Sequence, residues 1–241
     1  MNRTGSLRSW TSKDSIEFST DMKIRKFVKT TLQDWEGKNS CMILLSDPNA
    51  PCSDDDIELD EILSYIKENR DFLEAVVVSG SEPTEDPGLF ELLKKLKALK
   101  IKVKVDTNGT NPETLDDLIG AKLIDKVCLI ILAPLNSVEY DKVALKNIDV
   151  ESVKKTIEIL YASDIKYEFK ITIVPGVINH DSFFRILKSL SERDSLIIQQ
   201  FDPAASPDPR YNTMKPYPVP VLVRMANTAK EHVKHVRIRG T

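Results

Sequence analysis

Cysteine is scarce in this chain. Cys41, Cys52 and Cys128 are the three it has, far apart and odd in number. That argues against a disulfide framework and for a reducing compartment, the cytoplasm. Long apolar runs are missing too: none approaches the roughly 20 residues that a membrane span requires, and the first 13 residues lack the apolar core of a signal peptide. Neither sign of charge dominates. Lys and Arg number 34 against 37 Asp and Glu, a formal net charge of −3 with the signs mixed throughout. Composition therefore gives no case for nucleic acid or a membrane surface as a partner.

What is present suits a folded α/β protein. Hydrophobic residues make up 41% and charged residues 29% of the 241 positions, an ordinary balance for a globular domain. Residues 1–21, rich in Ser, Thr and charge, read as a mobile N-terminal extension, and 22–241 as one domain. Short apolar runs at 40–45, 75–79, 101–106, 126–132, 168–174 and 196–201 predict strands. Amphipathic stretches at 57–69, 88–99, 112–119, 150–162 and 180–191 predict helices; Leu89, Leu92, Leu93 and Leu96 show the spacing. A last helix at 226–235 and a strand at 236–239 follow an irregular connection, 203–220, with six prolines. Beyond this alternation no internal repeat is visible. Strand and helix alternating imply a parallel sheet with right-handed crossovers, and six βα units fit a partial barrel or an open sheet. The strand cores at 76–78, 103–105 and 197–198 are expected to hold such a barrel together as apolar layers.

In these folds ligands bind at the C-terminal ends of the strands. Those ends carry "SGSEP" at 79–83, "DTNGT" at 106–110, "VPG" at 174–176 and "QQF" at 199–201. Each alone reads as a turn; four polar strand ends on one rim point to a ligand. Gly80 and Ser81 would let backbone approach it, and Glu82 would add a carboxylate.

The stretches "MKIRKFVKTTLQDWEGK" (22–38), "SGSEPTEDPGLFELLKKLKALKIKVKVDTNGTNPETL" (79–115), "APL" (133–135), "FKITIVPG" (169–176), "QQFDP" (199–203) and "DPRY" (208–211) resemble radical SAM activating enzymes. The subgroup is the activating proteins of anaerobic ribonucleotide reductase, relatives of the pyruvate formate-lyase activases. The resemblance runs in order from residue 22 to 240 and implies a partial (β/α)₆ TIM-like barrel of the radical SAM type. It also implies a [4Fe–4S] cluster on a C-x₃-C-x₂-C loop after the first strand of the barrel, with S-adenosylmethionine chelating the fourth iron. Reductive cleavage of the sulfonium would then yield a 5′-deoxyadenosyl radical.

This chain departs from that pattern where the chemistry starts. In "SDPNAPCSDDDIELDE" (46–61) the three cluster positions fall on Pro48, Cys52 and Asp55. Proline has no ligand atom, and aspartate is a hard donor where iron–sulfur clusters need thiolates. Cys41 and Cys128 fall within strands and cannot easily stand in. The family's D-I-K tripeptide before "AP" is here Ile130-Ile131-Leu132, with Cys128, Ile130 and Leu132 expected on one strand face. Setting a charged methionine against such a wall would cost roughly 2–5 kcal/mol. Other positions are kept: Gly80-Ser81-Glu82-Pro83 stands for G-G-E-P, Asp106, Thr107, Asn108 and Gly109 match, and a site arginine maps to Lys170.

Plainer readings cover the remaining features. Ser53 followed by Asp54, Asp55 and Asp56 reads as a helix cap with acids in the first turn rather than a metal site. Cys52 reads as a remnant rather than a nucleophile, His180 as a solvated loop residue, and His232 and His235 as cations at a Lys-rich helix end. Lys94, Lys95, Lys97 and Lys100 read as one solvated helix face. The sequence thus predicts a radical-SAM-fold pseudoenzyme with no catalytic and no metal-ligating residue. Its expected ligand site is Gly80, Ser81, Glu82, Pro83, Asp106, Asn108 and Lys170, which would take S-adenosylmethionine or an adenosine-like molecule without a 4Fe–4S cluster. Its expected partner is a glycyl radical enzyme or an active activase. Two alternatives stand beside it: an activase with a non-standard cluster site, and a cluster-free enzyme reusing Glu82, Asp106 and Lys170.

Overall fold

The computed structural model describes residues 22–49, 51, 57–143, 148–206 and 208–241. The expected extension at 1–21, and Cys52 and Asp55 with the rest of the acidic run at 53–56, lie outside those residues. The chain opens with β1 (Ile24–Thr31), which turns through 32–39 and pairs antiparallel with β2 (Ser40–Leu45). Strands and helices then alternate: α1 (Leu59–Glu68), β3 (Ala75–Gly80), α2 (Leu89–Ala98), β4 (Lys102–Thr107), α3 (Pro112–Gly120) and β5 (Lys126–Ile130). Two helices follow, α4 (Ser137–Val143) and α5 (Val150–Ala162), then β6 (Lys166–Ile173), α6 (His180–Leu187), β7 (Ser195–Gln200), α7 (Val219–Ala229) and β8 (His235–Arg239).

The eight strands lie in one sheet in chain order, and every pairing from β2 to β8 is parallel. Neighbouring strands are about 4.8 Å apart, so β4 and β8 would be nearly 20 Å apart in a flat sheet. Yet Asp34 in the β1–β2 turn binds Lys104 of β4 through its carbonyl and Arg239 of β8 through its carboxylate. The sheet is therefore curled into a partial barrel, with this turn closing the end where the parallel strands begin. The fold expected from the sequence is the one observed.

The convex face carries the main core. Val76, Val78, Val103, Val105, Leu129 and Ile171 are inaccessible to solvent and pack against helix residues such as Ile66, Leu92, Leu96 and Leu160. Each such side chain contributes roughly 1.5–3 kcal/mol by leaving water. The concave face is different. Near β2 and β3 it is apolar, with Trp35, Met42, Ala75 and Val77 together. From β4 onward it is charged: Lys104, Asp106, Lys126, Glu168, Lys170, Arg237 and Arg239 meet there. The expected apolar strand cores are buried on the helix side, Val103 and Val105 among them, while Lys104 between these two faces the lumen.

Three local differences have physical causes. β1 was not expected, since as an edge strand it exposes Arg25, Lys26, Lys29 and Thr30 and shows no clean alternation. The short α4 was likewise unanticipated. The last helix begins at Val219 rather than 226, with Pro220 in its first turn, where a missing N–H is harmless.

Candidate functional site

Gly80 ends β3 in a left-handed backbone conformation, φ +135°. A Cβ there would lie 2.1 Å from the Leu45 carbonyl oxygen, so the close approach of the β2 and β3 ends demands glycine. Ser81 is exposed and donates its N–H to the same Leu45 oxygen at 3.2 Å. Pro83 is buried and starts a short 3₁₀ turn, Pro83–Glu85.

Glu82 is buried and fully engaged. Its Oε1 accepts from the Thr84 N–H (3.1 Å), the Thr84 hydroxyl (2.5 Å) and the Thr107 hydroxyl (2.7 Å). Its Oε2 accepts from the Asn108 N–H at 2.6 Å. Burial raises the Glu82 carboxyl above its usual range, against the pull of these donors. Asn108 in turn holds Thr110 through its side-chain oxygen, and Gly109 (φ +80°) leaves room that a Cβ would take from Leu129 and Thr156. The β3 and β4 ends are thereby locked to each other.

Asp106 and Lys170 form a second group, on the lumen face. Lys170 Nζ donates to Asp106 Oδ2 at 2.8 Å, Lys104 Nζ stands 3.3 Å from Oδ1, and the Ser79 hydroxyl lies 3.4 Å from Oδ2. Burial opposes ionisation of Asp106, but Lys170 and Lys104 outweigh it and hold the carboxyl well below its usual range. Burial likewise disfavours a charged Lys170, yet Asp106 raises it above the usual lysine range. Among the described residues Asp106 Oδ1, Gln199 Oε1 and Arg239 Nη1 are buried without a hydrogen-bond partner.

The structure thus brings Glu82 to Asn108 and Asp106 to Lys170, as two clusters at neighbouring strand ends. Ile130 ends β5 on the lumen side and pairs in register with Lys170. Leu132 lies past the strand and packs on the helix-side core, which corrects its expected place beside Ile130. Lys104, Glu168 and Arg239 escaped the sequence reading. Their signal is a charge between two apolar residues in "VKV", "YEF" and "IRG", a lumen alternation easily taken for a surface one.

The cluster loop can be tested against its donors. Pro48 sits in a turn after β2 where Asn49 donates to Asp47, and its carbonyl accepts from Lys23 at 3.3 Å. It offers no side-chain ligand. Cys41 and Cys128 are inaccessible and on strands, and burial pushes their thiols up to about 12 and about 11. Neither thiolate is available to iron. The described residues therefore do not fit a three-thiolate cluster.

Residues 41–189 match the model of the radical SAM superfamily. This chain belongs to the radical SAM superfamily. It is 31% identical over 176 residues, 70% of this chain and 71% of the other, to a Methanocaldococcus jannaschii protein named for glycyl-radical enzyme activation. Among solved radical SAM-like structures, Streptococcus suis SuiB bound to S-adenosylmethionine superposes with a TM-score of 0.59 at 15% identity. The match covers 80% of this chain and 45% of SuiB, so the chain spans just under half of SuiB. Archaeal TYW1 gives a TM-score of 0.52 at 15% identity, over 80% of this chain and 72% of that one. At such identities these two likenesses establish the fold.

Proposed function

We propose that this protein is a non-catalytic member of the activase branch, a regulatory partner of a glycyl radical enzyme or of an active activase. The observation that carries the reading is the donor set of the cluster loop: Pro48 in the first position, Asp55 in the third, Cys52 alone between them, and no accessible thiol on the described residues to replace the losses. One thiolate cannot hold a cubane. Anaerobic reconstitution with iron and sulfide tests it. The expected product is colourless and lacks stoichiometric iron; a brown protein with about four irons per chain and a cluster EPR signal after reduction would restore the working-enzyme reading.

The rim keeps a use in this reading. Asp106 and Lys170 neutralise each other, Ile130 adds apolar surface, and the orphaned Gln199 Oε1 and Arg239 Nη1 offer an acceptor and a donor. That combination suits a neutral ligand with hydrogen-bonding edges, such as an adenosine-like molecule, better than a charged methionine. Titration calorimetry with adenosine, 5′-deoxyadenosine and S-adenosylmethionine checks the order: the neutral ligands are expected to bind more tightly. A preference for S-adenosylmethionine contradicts this, and no binding of any leaves a purely protein-facing scaffold.

A further inference from the structure

A second recess opens at the other end of the barrel, where β5 to β8 begin. It is a cleft of about 590 Å³ whose walls include Lys126, Lys230, Lys234, His235 and Arg237. Two carboxylates line it. Glu168 is already shared among Lys104, Lys126 and Arg237, at 3.0, 2.6 and 3.3 Å. Glu36 is largely exposed at the edge, 3.9 Å from Arg237. Among the described residues Lys234 and His235 have no side-chain polar partner, and Lys230 has only the Asn227 amide oxygen at 3.5 Å. The end of α7 explains Lys230, since cations suit a helix C-terminus. It does not explain Lys234 and His235, which lie beyond that helix, His235 as the first residue of β8.

The lumen adds an independent reason. Five cations of that network, Lys104, Lys126, Lys170, Arg237 and Arg239, face four carboxylates, Asp34, Glu36, Asp106 and Glu168, and of the cations Lys126, Arg237 and Arg239 are only partly buried. The surplus cation is therefore among the three that solvent still reaches, and an anion arriving there would meet it. Lys126 and Arg237 reach from that network into the cleft, which is where an anion can arrive. We propose that this cleft binds a phosphate-bearing small molecule, seated on Lys126 and Arg237 and closed over by Lys230 and Lys234. The volume lies within the range of small-molecule sites, and convergent cations are the recognition chemistry of phosphate.

The site is separate from the rim, and a probe without a nucleoside keeps the two apart. Calorimetry of the full chain with inorganic pyrophosphate at low ionic strength should show one bound anion. Lys230→Glu with Lys234→Glu should weaken it about tenfold or more, whereas Lys67→Glu with Lys94→Glu, an equal change of net charge elsewhere, should leave it within about twofold. An ADP arm assigns the source: tighter binding than pyrophosphate means a nucleotide, equal binding a free phosphate compound. No heat with wild-type protein, or equal weakening in both variants, overturns the proposal. All four substituted lysines are exposed, and matching thermal melts confirm that the variants fold.

Discussion

Lys104 and Asp106 sit two residues apart on a strand, both buried, and each is held as an ion by the other and by side chains from β6, Lys104 also by the Asp34 carbonyl. Such a network is weak evidence for net stability, but removing one partner strands a buried charge. Asp106→Asn leaves Lys170 without its carboxylate and should cost about 3–5 kcal/mol near neutral pH. The pH dependence has a definite sign. The Asp106 carboxyl is held low in the folded chain, after burial has been outweighed by Lys170 and Lys104. Its stabilisation is fully present above the unfolded value, about 4, and is lost as pH falls through the lower folded one. Denaturant titrations should therefore show the gap between wild type and Asp106→Asn narrowing below about pH 4. Glu82 makes a different test. It accepts four hydrogen bonds and donates none, so Glu82→Gln turns an N–H₂ group toward a donor it cannot pair with. A loss of about 1–3 kcal/mol is expected in the same titrations.

The β1–β2 turn shows what an element gains from partners far away in sequence. Arg237 holds the Gln33 carbonyl at 3.0 Å, and Arg239 holds Asp34 at 2.5 Å. The last strand therefore fixes the first turn. Arg239→Met should leave the parallel strands in place while amide hydrogen exchange quickens across residues 32–39; unchanged protection there would mean the turn stands by itself. This element also marks the limit of what was legible. The order of strands and helices could be read because apolar spacing is local, and Leu89, Leu92, Leu93 and Leu96 fall on the buried face of α2 as that spacing predicts. The strand ends carrying Gly80, Glu82, Asp106 and Asn108 were read the same way, and Lys170, which lies in mid-strand, came from the family resemblance. The lumen charges were not, because a lysine between two valines gives no sign of whether the sheet curls over it. Their partners come from β4, β6, β8 and the first turn, and only the closed shape brings these together. Glu82 was expected to face a ligand, whereas both its oxygens hold the neighbouring turns.

For the whole molecule, the question is whether the fold depends on the chemistry of its family. Its main core lies between the convex face of the sheet and the helices, with Val76, Val105, Leu129, Phe169 and Ile198 all shielded from water. Among the described residues no part of that core consists of ligands on the cluster loop, and Pro48 lies in a turn held by Lys23 and Asp47. Metal-dependent domains behave otherwise, because binding free energy is then folding free energy. The iron-free chain is accordingly expected to unfold in one cooperative thermal transition, with the same midpoint by far-UV and near-UV circular dichroism. Added iron, sulfide and reductant should leave that midpoint where it was. A compact state without near-UV signal, sharpening into a transition only after reconstitution, would mean that metal still completes the fold. In that case the loop at 46–61 would have to supply ligands that its side chains do not offer in the family's positions, and the non-catalytic reading would go with it.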